Sequence, residues 1–365
     1  MNKQEAAAPL NTRHVFLDTQ AYRKLGHNVA NPALRSLAKH IEARTVVLHI
    51  TDLTLLEIKR HICEEVEGKA RELATIEKTL RRWRHSFPDI AQAPEIDATV
   101  VTAAIYRTFE QTVLHTWSTV HHRALDVAPS TVFADYFSRM PPFDKDGSKE
   151  FPDAFMLKSL SDWCAANRAT MHVISQDKAM LRAVAASDRL IAIQTIEEVL
   201  ARASVQPEVD SEQIADAVVA APEFDHFLEQ AIEKLGTDLV FVYHGDLPEG
   251  EVVDHDIGNI EAVIAYSLAW VGSTSVALIL TAETNVSVSV QYEDRSLAMY
   301  DREDDRWFGG DTASTELEVR VPIELFVEID LATRQFIMSE LMRDEYMVSE
   351  GHSWPDYDTG YVRAR

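Results

Sequence analysis

His14-Val15-Phe16-Leu17-Asp18-Thr19 is a short apolar run that ends in an aspartate and passes at once into Tyr22-Arg23-Lys24-Leu25, where helical spacing begins. Read as a strand feeding a helix, it belongs to an α/β protein. In open α/β sheets ligands gather outside the carboxyl ends of the strands, so Asp18 falls on the working edge. An acid directly after a buried strand is costly unless it is paired or holds a metal ion. Asp18 is therefore the first residue to follow outward.

The alternation continues on both sides of a long middle. Pro32–Ile41 shows helical spacing behind Asn31 as a cap, with Pro32 at the first position. Thr45–Ile50 is a β-branched run with buried-strand character, and Thr51 or Asp52 can cap a helix that carries Glu57. Residues 63–140 read as helical, with one basic-leaning helix from Lys69 to Trp83 and a second from about Ile96 to His115. Pro141-Pro142-Phe143-Asp144-Lys145-Asp146-Gly147 is a loop. A helix then opens at Pro152-Asp153, Met171–Ser175 is a strand, Gln176-Asp177 starts a helix, and Leu190–Ile193 is a further strand. Strands alternating with helices predict a mostly parallel central sheet.

Near Pro207 the pattern changes. Val209–Leu235 reads as helix, and Leu239–Tyr243, Val276–Thr281, Val286–Tyr292 and Leu317–Val321 read as strands. Asn285–Tyr292 alternates polar and apolar residues, as an antiparallel strand with one wet face does. Charge divides at the same place. Residues 1–205 hold 26 Lys+Arg against 25 Asp+Glu, and residues 206–365 hold 9 against 34, so balances of +1 and −25 make up the net −24. Such an acidic half repels a polyanion, which argues against the whole chain acting as a long-lived nucleic-acid binder. The neutral half can still approach one transiently. The expected organisation is a loose tail over 1–12, an α/β domain over 13–205 with a helical insertion at about 63–145, and an acidic α+β domain over 206–365.

Cys63 and Cys164 are the only cysteines, too few for a disulfide framework or a zinc cluster, so a reducing cytoplasm is expected. No apolar run reaches the roughly 18 residues of a membrane span, and the first residues lack the apolar core of a secretion signal. Four acids occupy comparable places in the α/β half: Asp18 after the first strand, Glu57 in the helix after the second, Asp153 in a helix's first turn, and Asp177 after Val173–Ser175. Converging carboxylates without a His or Cys ligand pattern suit a hard divalent ion, Mg²⁺ or Mn²⁺. Such an ion polarises a phosphodiester and lowers the pKa of a bound water.

Val15-Phe16-Leu17-Asp18-Thr19, Thr54-Leu55-Leu56-Glu57-Ile58, Phe151-Pro152-Asp153-Ala154 and Ile174-Ser175-Gln176-Asp177-Lys178 resemble, in order, the four acidic motifs of PIN-domain ribonucleases. The resemblance covers about residues 13–200. It implies an α/β/α sandwich, divalent-metal-dependent cleavage of single-stranded RNA, and frequent dimerisation. It assigns the metal to Asp18, Glu57, Asp153 and Asp177, with Ser175 supporting the site through hydrogen bonds. The stretch between Glu57 and Asp153 is far longer than in compact toxin-type members and is closer to a larger bacterial PIN subfamily. Nothing carries over onto the acidic C-terminal part.

Each acid also has a plainer reading. Asp153 is favoured by the helix dipole, Asp177 can cap its helix, and Glu57 can pair with Lys59, Arg60 or His61. Asp146 and Glu150 read as solvated loop acids rather than further ligands. Arg81, Arg82 and Arg84 beside Trp83 suit phosphates and a stacked base, although a solvated helix end with a buried tryptophan is the simpler expectation. His121-His122 reads as structural. His244, Asp246, Asp254, His255 and Asp256 read as loop residues rather than a second metal site. Absence of a second acid two places after Asp18, of a Gly-rich phosphate loop and of a G-x-S-x-G turn removes other hydrolase classes. The function expected is a metal-dependent endoribonuclease, in a role suited to a toxin or phage-defence effector. A catalytically inactive binding or scaffold protein is the alternative. The acidic domain would regulate it or dock a basic partner.

Overall fold

The structure is a computed structural model that describes residues 8–144, 150–205, 211–296, 298–301, 306–308 and 310–350. Asp146 and most of the expected N-terminal tail lie outside the described residues. The chain forms two compact units, one spanning Leu10–Val199 and the other Met1–Pro9 with Leu200–Arg365.

The first unit is built on five strands: β1 (His14–Leu17), β2 (Val47–Thr51), β3 (Val120–His122), β4 (Met171–Ile174) and β5 (Leu190–Ile193). All neighbouring pairs are parallel, in the order β3-β2-β1-β4-β5. The chain winds outward from β1 to β3, then returns to lay β4 on the other side of β1. That reversal makes the carboxyl ends of β1 and β4 a topological switch point, where open α/β sheets bind ligands. Val15, Phe16 and Leu17 are fully buried, as both-face covering of a parallel sheet requires.

Helices flank this sheet: α1 (Thr19–Lys24), α2 (Pro32–Glu42), α3 (Asp52–Arg84), α4 (Ala98–Gln111), α5 (Pro129–Phe137), α6 (Phe151–Asn167), α7 (Lys178–Ala185) and α8 (Ile196–Ala203). Asn31 caps α2 by accepting from the Ala33 N–H, and Thr51 caps α3 by accepting from Thr54. The helix expected at Lys69–Trp83 is the outer half of α3, which runs unbroken for 33 residues and packs against α4. Gly68 costs such a helix only about 1 kcal/mol and does not stop it. Trp83 is more than half exposed rather than buried. A rise of about 1.5 Å per residue carries it roughly 40 Å along the axis beyond Glu57. Arg81, Arg82 and Arg84 are therefore not beside the carboxylates, and Arg84 is paired with Glu77.

A row of imidazoles crosses three strands. His14 Nδ1 lies 3.0 Å from His49 Nε2, and His49 Nδ1 lies 2.8 Å from His122 Nε2. The Trp163 ring of α6 covers all three. Burial and the neighbouring rings push His49 down to about 3, and burial with His121 pushes His122 down to about 4. The row is neutral and structural.

In the second unit, α9 (Ser211–Val219) and α10 (Phe224–Leu235) replace the single helical stretch expected over 209–235. They precede β6 (Val240–Tyr243), β7 (Glu251–Val271), β8 (Ser275–Asp294), β9 (Met299–Asp301), β10 (Arg306–Phe308), β11 (Asp311–Asp330), β12 (Phe336–Leu341) and β13 (Glu345–Val348). β12-β11-β8-β7 form an antiparallel sheet, with β8 and β11 paired along their whole lengths. The two strands expected at 276–281 and 286–292 are one. Asp254, His255 and Asp256 lie on β7 rather than in a loop, and His255 Nε2 is 3.0 Å from the Gly236 carbonyl. Val286, Val288 and Val290 point into an apolar cluster that includes Phe224, Leu228 and Ile232 of α10. Glu316, Glu318 and Arg320 of β11 are exposed, so one face of the sheet is apolar and the other polar.

Candidate active site at the carboxyl edge of the parallel sheet

The site is assembled by the two strands that flank the switch point. The Asp18 N–H donates to the Ile174 carbonyl, 3.0 Å away, so the β1–β4 ladder extends one residue past the strand and fixes the aspartate backbone. Its side chain is 6 % exposed and accepts from Ser175 Oγ at 2.9 Å. The same hydroxyl accepts from the Asp177 N–H at 3.0 Å, which ties the turn after β4 to the acid after β1.

Asp177 is the N-cap of α7, and its Oδ1 accepts from Ala179 and Met180 at 2.7 and 2.8 Å. The capping role and proximity to the other acids hold together, because only one of its two oxygens is committed. Glu57 projects from the second turn of α3, and Thr19 Oγ1 donates to its Oε2 at 2.6 Å. None of Lys59, Arg60 and His61 is the hydrogen-bond partner that orients it. Asp153 lies in the first turn of α6 and is half-buried; among the described residues nothing donates a hydrogen bond to its carboxylate. Glu150, the N-cap of α6, is half-buried beside it.

The charges of Glu57 and Asp177 are felt at both Asp18 and Asp153. Burial pushes the Asp153 carboxyl up to about 8, and the charges of Asp18, Glu150, Glu57 and Asp177 add to the shift. Burial also pushes Asp18 up to about 6; bonds from Ser175 and the Thr19 backbone oppose this, and Glu57 and Asp177 reinforce it. Two buried carboxyls raised by burial and by nearby negative charge would be relieved by a cation.

Two contributors escaped the sequence reading. Thr19 was visible only as the residue after Asp18, and its role depends on α3 passing within reach. Glu150, weighed in the sequence as a further ligand but read as a solvated loop acid, is half-buried at the start of α6 instead.

An all-oxygen donor set of desolvated carboxylates fits a hard divalent cation. Among the described residues no three or more His, Cys, Asp or Glu side chains form a group that could hold a metal ion as they stand. That is compatible with Mg²⁺, which keeps several waters and takes only one or two carboxylates directly.

Fold and site define an α/β protein with acidic side chains at the carboxyl-end switch point of a parallel sheet. Residues 15–180 match the PIN-domain family, a family of nucleases, and this part of the chain is a PIN domain. PIN nucleases typically use divalent metals. No curated protein and no solved structure matches the chain. Among the described residues, no helix is long and apolar enough to cross a membrane.

Proposed function

We propose that the protein is a divalent-metal-dependent endoribonuclease that cleaves single-stranded RNA. The observation that carries this reading is the Asp18 carboxylate at the carboxyl end of β1, bonded to Ser175 Oγ, which in turn accepts from the Asp177 N–H. Asp18, Glu57, Asp153 and Asp177 are the residues that would hold the ion. Bound Mg²⁺ or Mn²⁺ would polarise the scissile phosphodiester and acidify a water.

The chain's own residues orient this set. Ser175 holds one Asp18 oxygen, Thr19 holds one Glu57 oxygen, and the start of α7 holds one Asp177 oxygen. Asp153 accepts no such bond and is the acid least constrained by its neighbours. At neutral pH, without the ion, its carboxyl retains a proton, and binding the cation would release it.

The acidic C-terminal unit would serve as a docking surface for a basic partner or as a regulator of the nuclease. A role as a toxin or phage-defence effector fits a nuclease that must be restrained in its own cell.

The test is cleavage of single-stranded RNA, single-stranded DNA and duplex RNA with Mn²⁺ or Mg²⁺. Activity on single-stranded RNA that disappears in Asp18→Asn and Asp153→Asn supports the reading. Activity that survives both substitutions refutes it. A folded wild type that binds no divalent ion and cleaves nothing would instead mark a scaffold protein.

A further inference from the structure

The short helix α5 turns aromatic rings to the solvent. Only Val132 of α5 is buried, in a small satellite core with Phe143 and Ala154. On the open side Phe137 is 78 % exposed, Phe133 43 % and Tyr136 37 %. Solvated helix faces normally carry charged and polar residues, and a contiguous exposed apolar patch marks a binding surface.

These rings form a chain that leads to the carboxylates. Phe137 contacts Tyr136, with centroids 5.3 Å apart, and Tyr136 contacts Phe151 at 5.1 Å. Phe133 reaches the same Phe151 at 5.4 Å. Phe151 is the first residue of α6, two positions before Asp153. The patch therefore borders the same end of α6 that carries Asp153 in its first turn. Asp144, following Phe143, accepts from Arg182 Nε and Nη2 at 2.7 and 3.0 Å, which fastens the segment after α5 to the helix capped by Asp177.

We propose that the exposed face of α5, formed by Phe133, Tyr136 and Phe137, is a stacking platform for unpaired bases of the single-stranded nucleic acid whose backbone enters the carboxylate site. This inference rests on the nuclease reading and deepens it by naming how the substrate is held. Aromatic faces stack any base, so the platform selects unpaired strands without reading their sequence. A duplex, whose bases are already stacked on one another, gains nothing from it. Residues 1–205 carry a net charge of +1, so they do not repel as a whole a strand held by stacking.

The experiment is fluorescence anisotropy with a labelled single-stranded oligouridylate and the full chain, in EDTA so that no turnover occurs. Phe137→Ala is expected to weaken binding about tenfold, as loss of one stacked base does. Phe137→Trp should bind as tightly as the native protein, and Phe137→Leu, apolar but without a π face, should bind as weakly as Phe137→Ala. An abasic oligomer should bind native protein and Phe137→Ala equally.

Unchanged affinity in both Phe137→Ala and Phe133→Ala overturns the proposal. So does native-like binding by Phe137→Leu. A loss of self-association in Phe137→Ala without loss of oligonucleotide affinity also overturns it, by assigning the face to a second copy of the chain. Mn²⁺ titration of the same variants separates this proposal from the one it rests on. Native Mn²⁺ affinity with unchanged oligonucleotide binding removes the platform alone. Weakened oligonucleotide binding in a protein that never binds Mn²⁺ removes the nuclease reading alone.

Discussion

Asp153→Asn should stabilise the metal-free protein, although it removes the acid central to the proposed activity. Asp153 has its carboxyl raised from 3.8 to about 8 in the fold, chiefly by burial and then by four neighbouring carboxylates. An acid raised in this way binds its proton more tightly folded than unfolded. Its cost to stability is therefore nil below about pH 3.8, grows as pH climbs, and is complete above about pH 8. At about 1.4 kcal/mol per unit, the four-unit shift would cost roughly 6 kcal/mol if unscreened. Asp153 is half-buried, and water screens the repulsion, so about 2 kcal/mol is the expected net cost.

Asparagine keeps the shape and removes the charge. In a unit of this size, about 2 kcal/mol corresponds to a rise of roughly 4–8 °C in Tm. Scanning calorimetry of the full chain in EDTA should show that rise in the first transition at about pH 8, and little difference near pH 4. Excess Mn²⁺ should reverse the order, stabilising the native protein more than the variant. The reasoning fails if Asp153→Asn lowers Tm at about pH 8, or if the difference between the proteins is the same at both pH values.

Thr19→Val should leave Glu57 without its hydroxyl donor and weaken Mn²⁺ binding by about tenfold or more, as loss of an orienting partner does; titration calorimetry reads it, and native affinity would show that the 2.6 Å bond does not orient the acid. Affinity for Mn²⁺ should climb with pH between about 6 and about 8, where Asp18 and Asp153 lose their protons, and level off above. Calorimetry in buffers of different ionisation enthalpy should detect the released protons below that plateau, and a flat profile would contradict the elevated carboxyls. The imidazole row acts with the opposite sign. His49 and His122, lowered in the fold to about 3 and about 4, contribute stability that is whole above pH 6.5 and is lost as pH falls toward those values. His49→Gln should flatten the acid limb of the Tm profile, and an unchanged limb would show that protonation of the row is not what destabilises the protein in acid.

What could be read from the residues follows from how local each signal is. Asp18, Asp153 and Asp177 each sit within three residues of a strand end or helix start, so short windows reveal them. Asn31 and Thr51 announce their helices by chemistry that spans three residues. Other elements depend on distant partners. β3 has three residues, two of them histidines, and is a strand only because β2 lies beside it. β7 hides for another reason. Its register against β8 shifts at Val252/Asp254, Ile257/Ile260, Ile260/Ala262, Val263/Ala265 and Leu268/Trp270. Each bulge places an extra residue in the strand and resets which face the next side chain takes, so polar–apolar alternation never persists. β8 pairs with β11 without a shift over its whole length, and its alternation was legible.

The same distinction explains why the open face of α5 is not legible while the acids beside it are. Its rings, at positions 133, 136 and 137, follow helical spacing, but an aromatic stripe at that spacing looks like a core face. A sequence carries no sign of which side of a nine-residue helix has a partner. Only the satellite core around Val132, which Tyr136 borders through Phe143, shows that Phe133 and above all Phe137 are the rings turned to the solvent. A core stripe and a substrate platform are identical in spacing and opposite in exposure. Their mutational signatures are opposite too. Alanine at a buried ring costs about 3–5 kcal/mol of stability, whereas alanine at Phe137 should leave stability within about 0.5 kcal/mol of native and move only the affinity for an unpaired strand.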